Sequence, residues 1–165
     1  MLHSVLAAPE DYDFIRKEVL SGIRQKHFLI PLKTQEDIRS VEEDIRMAIL
    51  QHCFASGLRV LPLIFRKNHR RVGMVLMSEV SPGKGGNELH LMTVVKKHRG
   101  KGYGSNMLDL ILEGRQEVDV FARCAPASSK MYEMLKKRGF EFQYASEDGF
   151  RVLMRARLNI LSEIS

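Results

Sequence analysis

The run Val94-Val95-Lys96-Lys97-His98-Arg99-Gly100-Lys101-Gly102-Tyr103-Gly104-Ser105 limits what this chain can fold into more than any other stretch. The strand-like segment Glu88 to Val95 leads into it, and Met107, Leu108, Ile111 and Leu112 follow at helical spacing. Three glycines at alternate positions leave backbone amides uncovered. A helix start behind them adds partial positive charge, and Lys96, Lys97, Arg99 and Lys101 add full charges. A strand–turn–helix of this kind suits a phosphate or pyrophosphate. It is neither of the two commonest nucleotide fingerprints. Gly102-x-Gly104 is not followed by x-x-Gly, and no Gly-Lys-Ser/Thr occurs.

Further along, Ser128-Ser129-Lys130-Met131-Tyr132-Glu133-Met134-Leu135-Lys136-Lys137-Arg138-Gly139-Phe140 reads as a complete short helix. A serine can cap its start, the basic triplet suits the negative end of its dipole, and Gly139 can end it in a left-handed conformation. On these residues alone, Tyr132 reads as a ring packed in the core with its hydroxyl on a carbonyl.

Together the two segments resemble the GNAT superfamily of N-acetyltransferases. Arg99, Gly102 and Gly104 match its Arg/Gln-x-x-Gly-x-Gly/Ala loop, and Tyr132 with Gly139-Phe140 matches the tyrosine helix that follows. The resemblance implies that acetyl-CoA lies in a splay between the fourth and fifth strands. Backbone groups around Val94, Val95 and Lys96 would bond the pantetheine and thioester. Amides and charges from Arg99, Gly100, Lys101, Gly102, Tyr103, Gly104 and Ser105 would hold the pyrophosphate. Tyr132 would point at the sulfur and protonate the departing thiolate. One departure stands out: the family often has an asparagine after the fifth strand and an alanine four residues before the tyrosine, where this chain has Ala125 and Ser128.

A chain of 165 residues, 44% hydrophobic and 28% charged, has the size and composition of one soluble domain, so residues 1–165 are expected to form a single unit. No apolar run approaches the roughly 20 residues of a bilayer span. Met1 to Pro9 lacks the basic and apolar regions of a signal peptide. Cys53 and Cys124 lie far apart without ligand partners at metal spacing, which points to a reducing, cytoplasmic compartment and no metal site. A single disulfide stays open on sequence alone.

The net charge of +6 favours anionic partners, and the co-substrate's phosphates account for part of it. A second basic group, Arg66-Lys67-Asn68-His69-Arg70-Arg71, reads first as a solvated turn. As a patch for nucleic acid it is not favoured, because no aromatics are interleaved.

The order of elements reads β-α-α-β-β-β-α-β-α-β-β. Pro9 opens the first helix, which Gly22 and the Phe28-Leu29-Ile30-Pro31 stretch break. Thr34 caps the second, and Gly57 stops it. Ser81 to Gly86 is a turn, and Ser146-Glu147-Asp148-Gly149 closes a last hairpin. This is an α/β fold, similar to the GNAT one, with a mixed, mostly antiparallel twisted sheet of about seven strands flanked by four helices.

An amine attacks a thioester only when neutral, so a base is useful. Alternation along the fourth strand puts Glu88, His90, Met92 and Val94 on one face. Glu88 and His90 resemble, in their distance from the loop, the proton-accepting histidines of arylalkylamine N-acetyltransferases. Read plainly, Glu88 is a strand-end surface charge and His90 a hydrogen-bonded core histidine; as a base, His90 titrates near neutrality. The acceptor site is expected between Gln25 to Lys33 and Ala145 to Gly149. The functions implied are acetyl-CoA-dependent acetylation of a primary amine, toxin-like acetylation of aminoacyl-tRNA, or silent acyl-CoA binding. The protein is expected as a monomer or homodimer.

Overall fold

The structure, a computed structural model, describes residues 1–28, 30, 32–80 and 85–159. The expected Phe28–Pro31 break and Ser81–Gly86 turn therefore fall partly outside the described residues.

Strand β1 is His3–Leu6. A single 3₁₀ turn, Pro9–Asp11, leads into helix α1, Tyr12–Arg24. Helix α2, Gln35–Gln51, starts on a capping box in which Thr34 accepts from the Asp37 amide and Asp37 accepts from the Thr34 amide. Strands β2 (Val60–Lys67), β3 (Arg70–Glu79) and β4 (Asn87–Val94) form a meander. Then come helix α3 (Tyr103–Glu113), strand β5 (Val120–Cys124), helix α4 (Ser129–Lys136) and strands β6 (Glu141–Ala145) and β7 (Arg151–Arg155). The seven strands form one sheet in the order β1-β2-β3-β4-β5-β7-β6. The β4–β5 pair is parallel and the other neighbours are antiparallel. Among the described residues, the expected mixed sheet, element order and four helices are what the structure has.

Two helix ends differ from the sequence reading. Gly22 does not break α1; it lies inside the helix, and the Phe28 ring folds back over it into the space a Cβ would fill. Helix α2 stops at His52, in the left-handed region at φ 53°, before Gly57 is reached. The basic hairpin is also tighter than a solvated turn. Only Asn68 and His69, both at positive φ, make the bend. Arg66 and Arg71 ion-pair with Asp11, which is 1% exposed, at 3.0 and 2.7 Å. They thereby dock the start of α1 on the β2–β3 hairpin.

The sheet is packed on both faces. On one face Phe65, Val75, Met77, Leu89, Val120 and Ala122 bury against Met107, Leu108, Ile111 and Leu112 of α3 and Leu135 of α4. On the other, Ile64, Met74, Leu76 and Leu91 bury against Ile15, Val19 and Ile23 of α1 and Val41, Ile45 and Ile49 of α2. Burial on both faces explains the near-continuous apolar run of β3.

Candidate active site

Strands β4 and β5 stay paired for three residues only: Asn87 with Val120, Glu88 with Phe121, Leu89 with Ala122. Beyond Leu89 they part. The physical cause is a bulge in β4. Leu91 faces Leu76 and Leu89 faces Met77, so His90 is an extra residue with no partner in β3. A bulge bends its strand and breaks its alternation. Leu89 points to the α3/α4 core and Leu91 to the α1/α2 core, although they are two residues apart.

The bulge corrects the expectation that Glu88, His90, Met92 and Val94 share a face. Met92 and Val94 pack on the α3/α4 side with Leu89. Glu88, next to Leu89, is on the α1/α2 side, and so is the His90 ring, which lies 5.2 Å from the ring of Phe54 beside the α1/α2 core. The opening between β4 and β5 is therefore flanked differently on its two sides.

The backbone of the opening is available to a ligand. The Val95 amide donates to the Val72 carbonyl at 2.9 Å. Antiparallel alternation then turns the amides and carbonyls of Val94 and Met92 away from β3, toward the space that β5 has left. The Val94 carbonyl accepts from Arg99 Nε at 2.9 Å, which folds Arg99 over the end of the strand.

At the open end sits the glycine turn. Lys96–His98 is one 3₁₀ turn, followed by Gly100 at φ 74° and Gly102 at φ 80°. Both glycines are in the left-handed region, and the space a side chain would fill is empty at both. Gly102 caps α3 without a side-chain bond, so the amides of residues 103–105 have no intrahelical acceptor. Among the described residues nothing else accepts from the amides of residues 100–105. Gly104 is less constrained: a Cβ there would make ordinary contacts, 3.6 Å from Val94 Cγ2 and 3.7 Å from Met134 Cε. The Tyr103 ring leans to the hairpin, with Lys67 Nζ 5.3 Å from its centroid and His98 edge-on at 6.0 Å. Desolvation, with Lys97, Lys101 and Arg70 around it, holds the His98 imidazole below its ordinary pKa. No ion pair neutralises Lys67, Arg70, Lys96, Lys97, Arg99 or Lys101 among the described residues. The turn is thus a set of free amides within uncompensated positive charge.

Tyr132 lies on α4, on the α3/α4 side, packed against that core. The Arg151 guanidinium sits 3.9 Å from its ring centroid. Arg138 fixes α4 to α3 by donating to Asp109 at 2.6 and 3.2 Å and to the Ser105 carbonyl at 3.4 Å. Ser128 does not cap α4 with its side chain; its hydroxyl is 3.0 Å from His27 Nδ1, joining the α1–α2 connection to the start of α4.

On the other side, Glu88 pairs with Arg123 Nε at 3.2 Å and is 14% exposed. His90 is mostly desolvated. Burial lowers its pKa most, and Arg123 lowers it further, while Glu88 and Asp44 pull it upward. The net direction is downward, so the imidazole is neutral at pH 7. A neutral imidazole beside an opening can accept a proton.

The structure thus brings Val94, Val95, Lys96 and residues 99–105 to one end of the opening, with Tyr132 on one side and Glu88 and His90 on the other. Sequence reasoning missed Arg123, Phe54, Asp44, Arg151 and the backbone of Met92. Arg123 did leave a signal, as the one charge inside the apolar strand Val120–Cys124. Phe54, Asp44 and Arg151 reach the site only through packing.

The model of the Acetyltransferase (GNAT) family matches residues 28–140 of this sequence. No curated protein sequence is significantly similar to the chain. Among solved structures, an acetyltransferase from Thermus thermophilus superposes with a TM-score of 0.71 at 18% identity, covering 94% of this chain and 96% of that one. Spermidine N-acetyltransferase from Vibrio cholerae, in complex with CoA and spermine, gives a TM-score of 0.69 at 13% identity, covering 93% and 92%. AAC(6')-Ib with acetyl-CoA bound gives 0.66 at 17% identity, covering 94% and 93%.

Proposed function

The chain belongs to the GNAT acetyltransferase family, and from that premise we propose that residues 1–165 form one acetyl-CoA-dependent N-acetyltransferase domain acting on a primary amine. The observation that carries this reading is the parting of β4 from β5 after Leu89, with the open, cation-rich turn of residues 96–105 at its end. The donor chemistry fits acetyl-CoA. Free amides at residues 100–105 suit a diphosphate. The outward-turned backbone groups of Met92 and Val94 suit the amides of a pantetheine arm.

Acetyl-CoA supplies an activated acetyl thioester when bound. The chain's own residues place it and move protons. The glycine turn holds the diphosphate, and the backbone of β4 orients the arm through the opening. Neutral His90 takes the proton that the amine nitrogen loses, on the α1/α2 side. Glu88, held by Arg123, favours the imidazolium that results. Tyr132 gives its hydroxyl proton to sulfur on the α3/α4 side. The N–C bond forms and the C–S bond breaks. One proton passes to His90, one leaves Tyr132, and solvent resets both. Solved neighbours carry spermine or ribostamycin together with CoA, which supports an amine acceptor.

Calorimetry with acetyl-CoA and a thiol-release assay over a panel of amines test the reading. Wild type should bind acetyl-CoA and release thiol with at least one amine. Gly102→Glu, which puts a side chain and a negative charge among the free amides, should abolish binding while the fold remains. Undiminished affinity in the folded variant would remove the reading. Binding without thiol release over the whole panel would favour a silent acyl-CoA-binding module.

A further inference from the structure

Arg151 opens β7 and pairs across the sheet with Cys124, the last residue of β5. Its side chain is on the α3/α4 side, where the guanidinium carbon stands 3.9 Å from the centroid of the Tyr132 ring. That is stacking distance for a planar cation on an aromatic face. Two further observations make the contact unusual. Arg151 Nε is buried and has no hydrogen-bond partner. No carboxylate pairs with Arg151 among the described residues. Its pairing partner Cys124 supplies no counter-charge either: burial pushes that thiol up to about 11 even against the pull of Arg151, so it carries no thiolate.

A half-buried cation with an unbonded N–H and no counter-ion is costly to fold around. Such an arrangement persists where negative charge arrives during function. On the reading above, that charge develops on the departing sulfur and on the phenol oxygen of Tyr132. We propose that Arg151 is a positioning residue for Tyr132: its guanidinium clamps the ring face, fixes the direction of the hydroxyl, and offsets the negative charge that appears as the phenol proton passes to sulfur. The atoms balance as before, since Arg151 gives and takes no proton. Its contribution is geometry and field.

The inference rests on the acetyl-transfer reading, and a double-mutant cycle separates the two. Arg151→Met keeps the length and apolar contact of the side chain without its charge. It should lower kcat by about 10-fold, the scale of a desolvated cation–aromatic contact, and leave KM for acetyl-CoA little changed. Tyr132→Phe should lower kcat by about 100-fold. Combined, the two should cost no more than Tyr132→Phe alone, because Arg151 acts through the hydroxyl. Arg151→Lys, which keeps the charge but cannot lie flat, should fall between wild type and Arg151→Met, and it carries the cycle if the methionine variant fails to fold. Multiplicative losses in the double variant, or a fully active Arg151→Met, would overturn the role of Arg151 while leaving acetyl transfer standing. A wild type that releases no thiol with any amine would overturn both.

Discussion

His90 shows how a single side chain is tuned by where the backbone puts it. Burial beside Phe54 holds its pKa below 6.5, Arg123 adds to the depression, and Glu88 and Asp44 oppose it. Two pH effects follow. In the pH–rate profile, the acidic limb should fall below the ordinary histidine value. Glu88→Gln removes a group that favours the imidazolium, so that limb should move to lower pH; Arg123→Met removes one that disfavours it and should move the limb up. A limb that stays put in both variants would exclude His90 as the titrating base. For stability the sign is fixed by linkage. The unfolded chain protonates this histidine near 6.5 and the folded chain at a lower pH, so stability contributed by the neutral form is present above 6.5 and declines as pH falls below it. His90→Gln should flatten that part of a melting-temperature profile. The residue scale also shows what was legible early. The resemblance to the family singles out Tyr132, and strand position with residue type makes Glu88 and His90 candidates, but neither says which side of the sheet each occupies. That needed the bulge, and a bulge is one unpaired residue that hydrophobic alternation does not announce.

Among the elements, the β2–β3 hairpin and α1 depend on each other. Asp11 is almost wholly buried and accepts from Arg66 and Arg71, and it also accepts from the Ala8 amide at 3.0 Å. Asp11→Ala would strand an amide and leave two guanidinium groups facing each other. It should cost about 2–4 kcal/mol of unfolding free energy, read by urea denaturation. A loss below about 0.5 kcal/mol, the scale of surface substitutions, would show that the docking is incidental. The same contact explains why the basic run at residues 66–71 is not one patch. Arg66 and Arg71 are spent on Asp11, whereas Lys67 and Arg70 lie toward Tyr103 and His98 at the glycine turn. Sequence composition registers six basic or polar residues in a row; only the two-residue bend and the register of β2 on β3 sort them into two groups.

For the whole molecule, binding and stability are linked through the parted strands. A ligand that fills the opening binds the folded state alone, so acetyl-CoA at 100 times its dissociation constant should stabilise the protein by about 2.7 kcal/mol and raise the melting temperature. Because the turn is rich in unpaired cations, that shift should shrink as ionic strength rises from about 0.01 to 1 M, the range over which screening shortens from about 30 to 3 Å. A salt-independent shift would mean that the charges of residues 96–101 take no part. What the sequence by itself determined is the local grammar: a strand, a turn of glycines at positive φ, a helix start, and a second helix ending at Gly139-Phe140. These follow from backbone freedom, capping and apolar period, which act over a few residues and can be read in order along the chain. It also determined the fold class, since the order of elements and their apolar faces admit few packings. What only the tertiary structure decided is the relation between segments far apart in sequence. The His90 bulge, set by pairing with β3, parts β4 from β5 and leaves His90 and Tyr132 on opposite sides of the sheet; packing sets Phe54 and Asp44 near His90; the β5–β7 register brings Arg151 onto Tyr132. Each of these is fixed by contacts whose energy depends on both partners at once, and no single stretch of the sequence contains both.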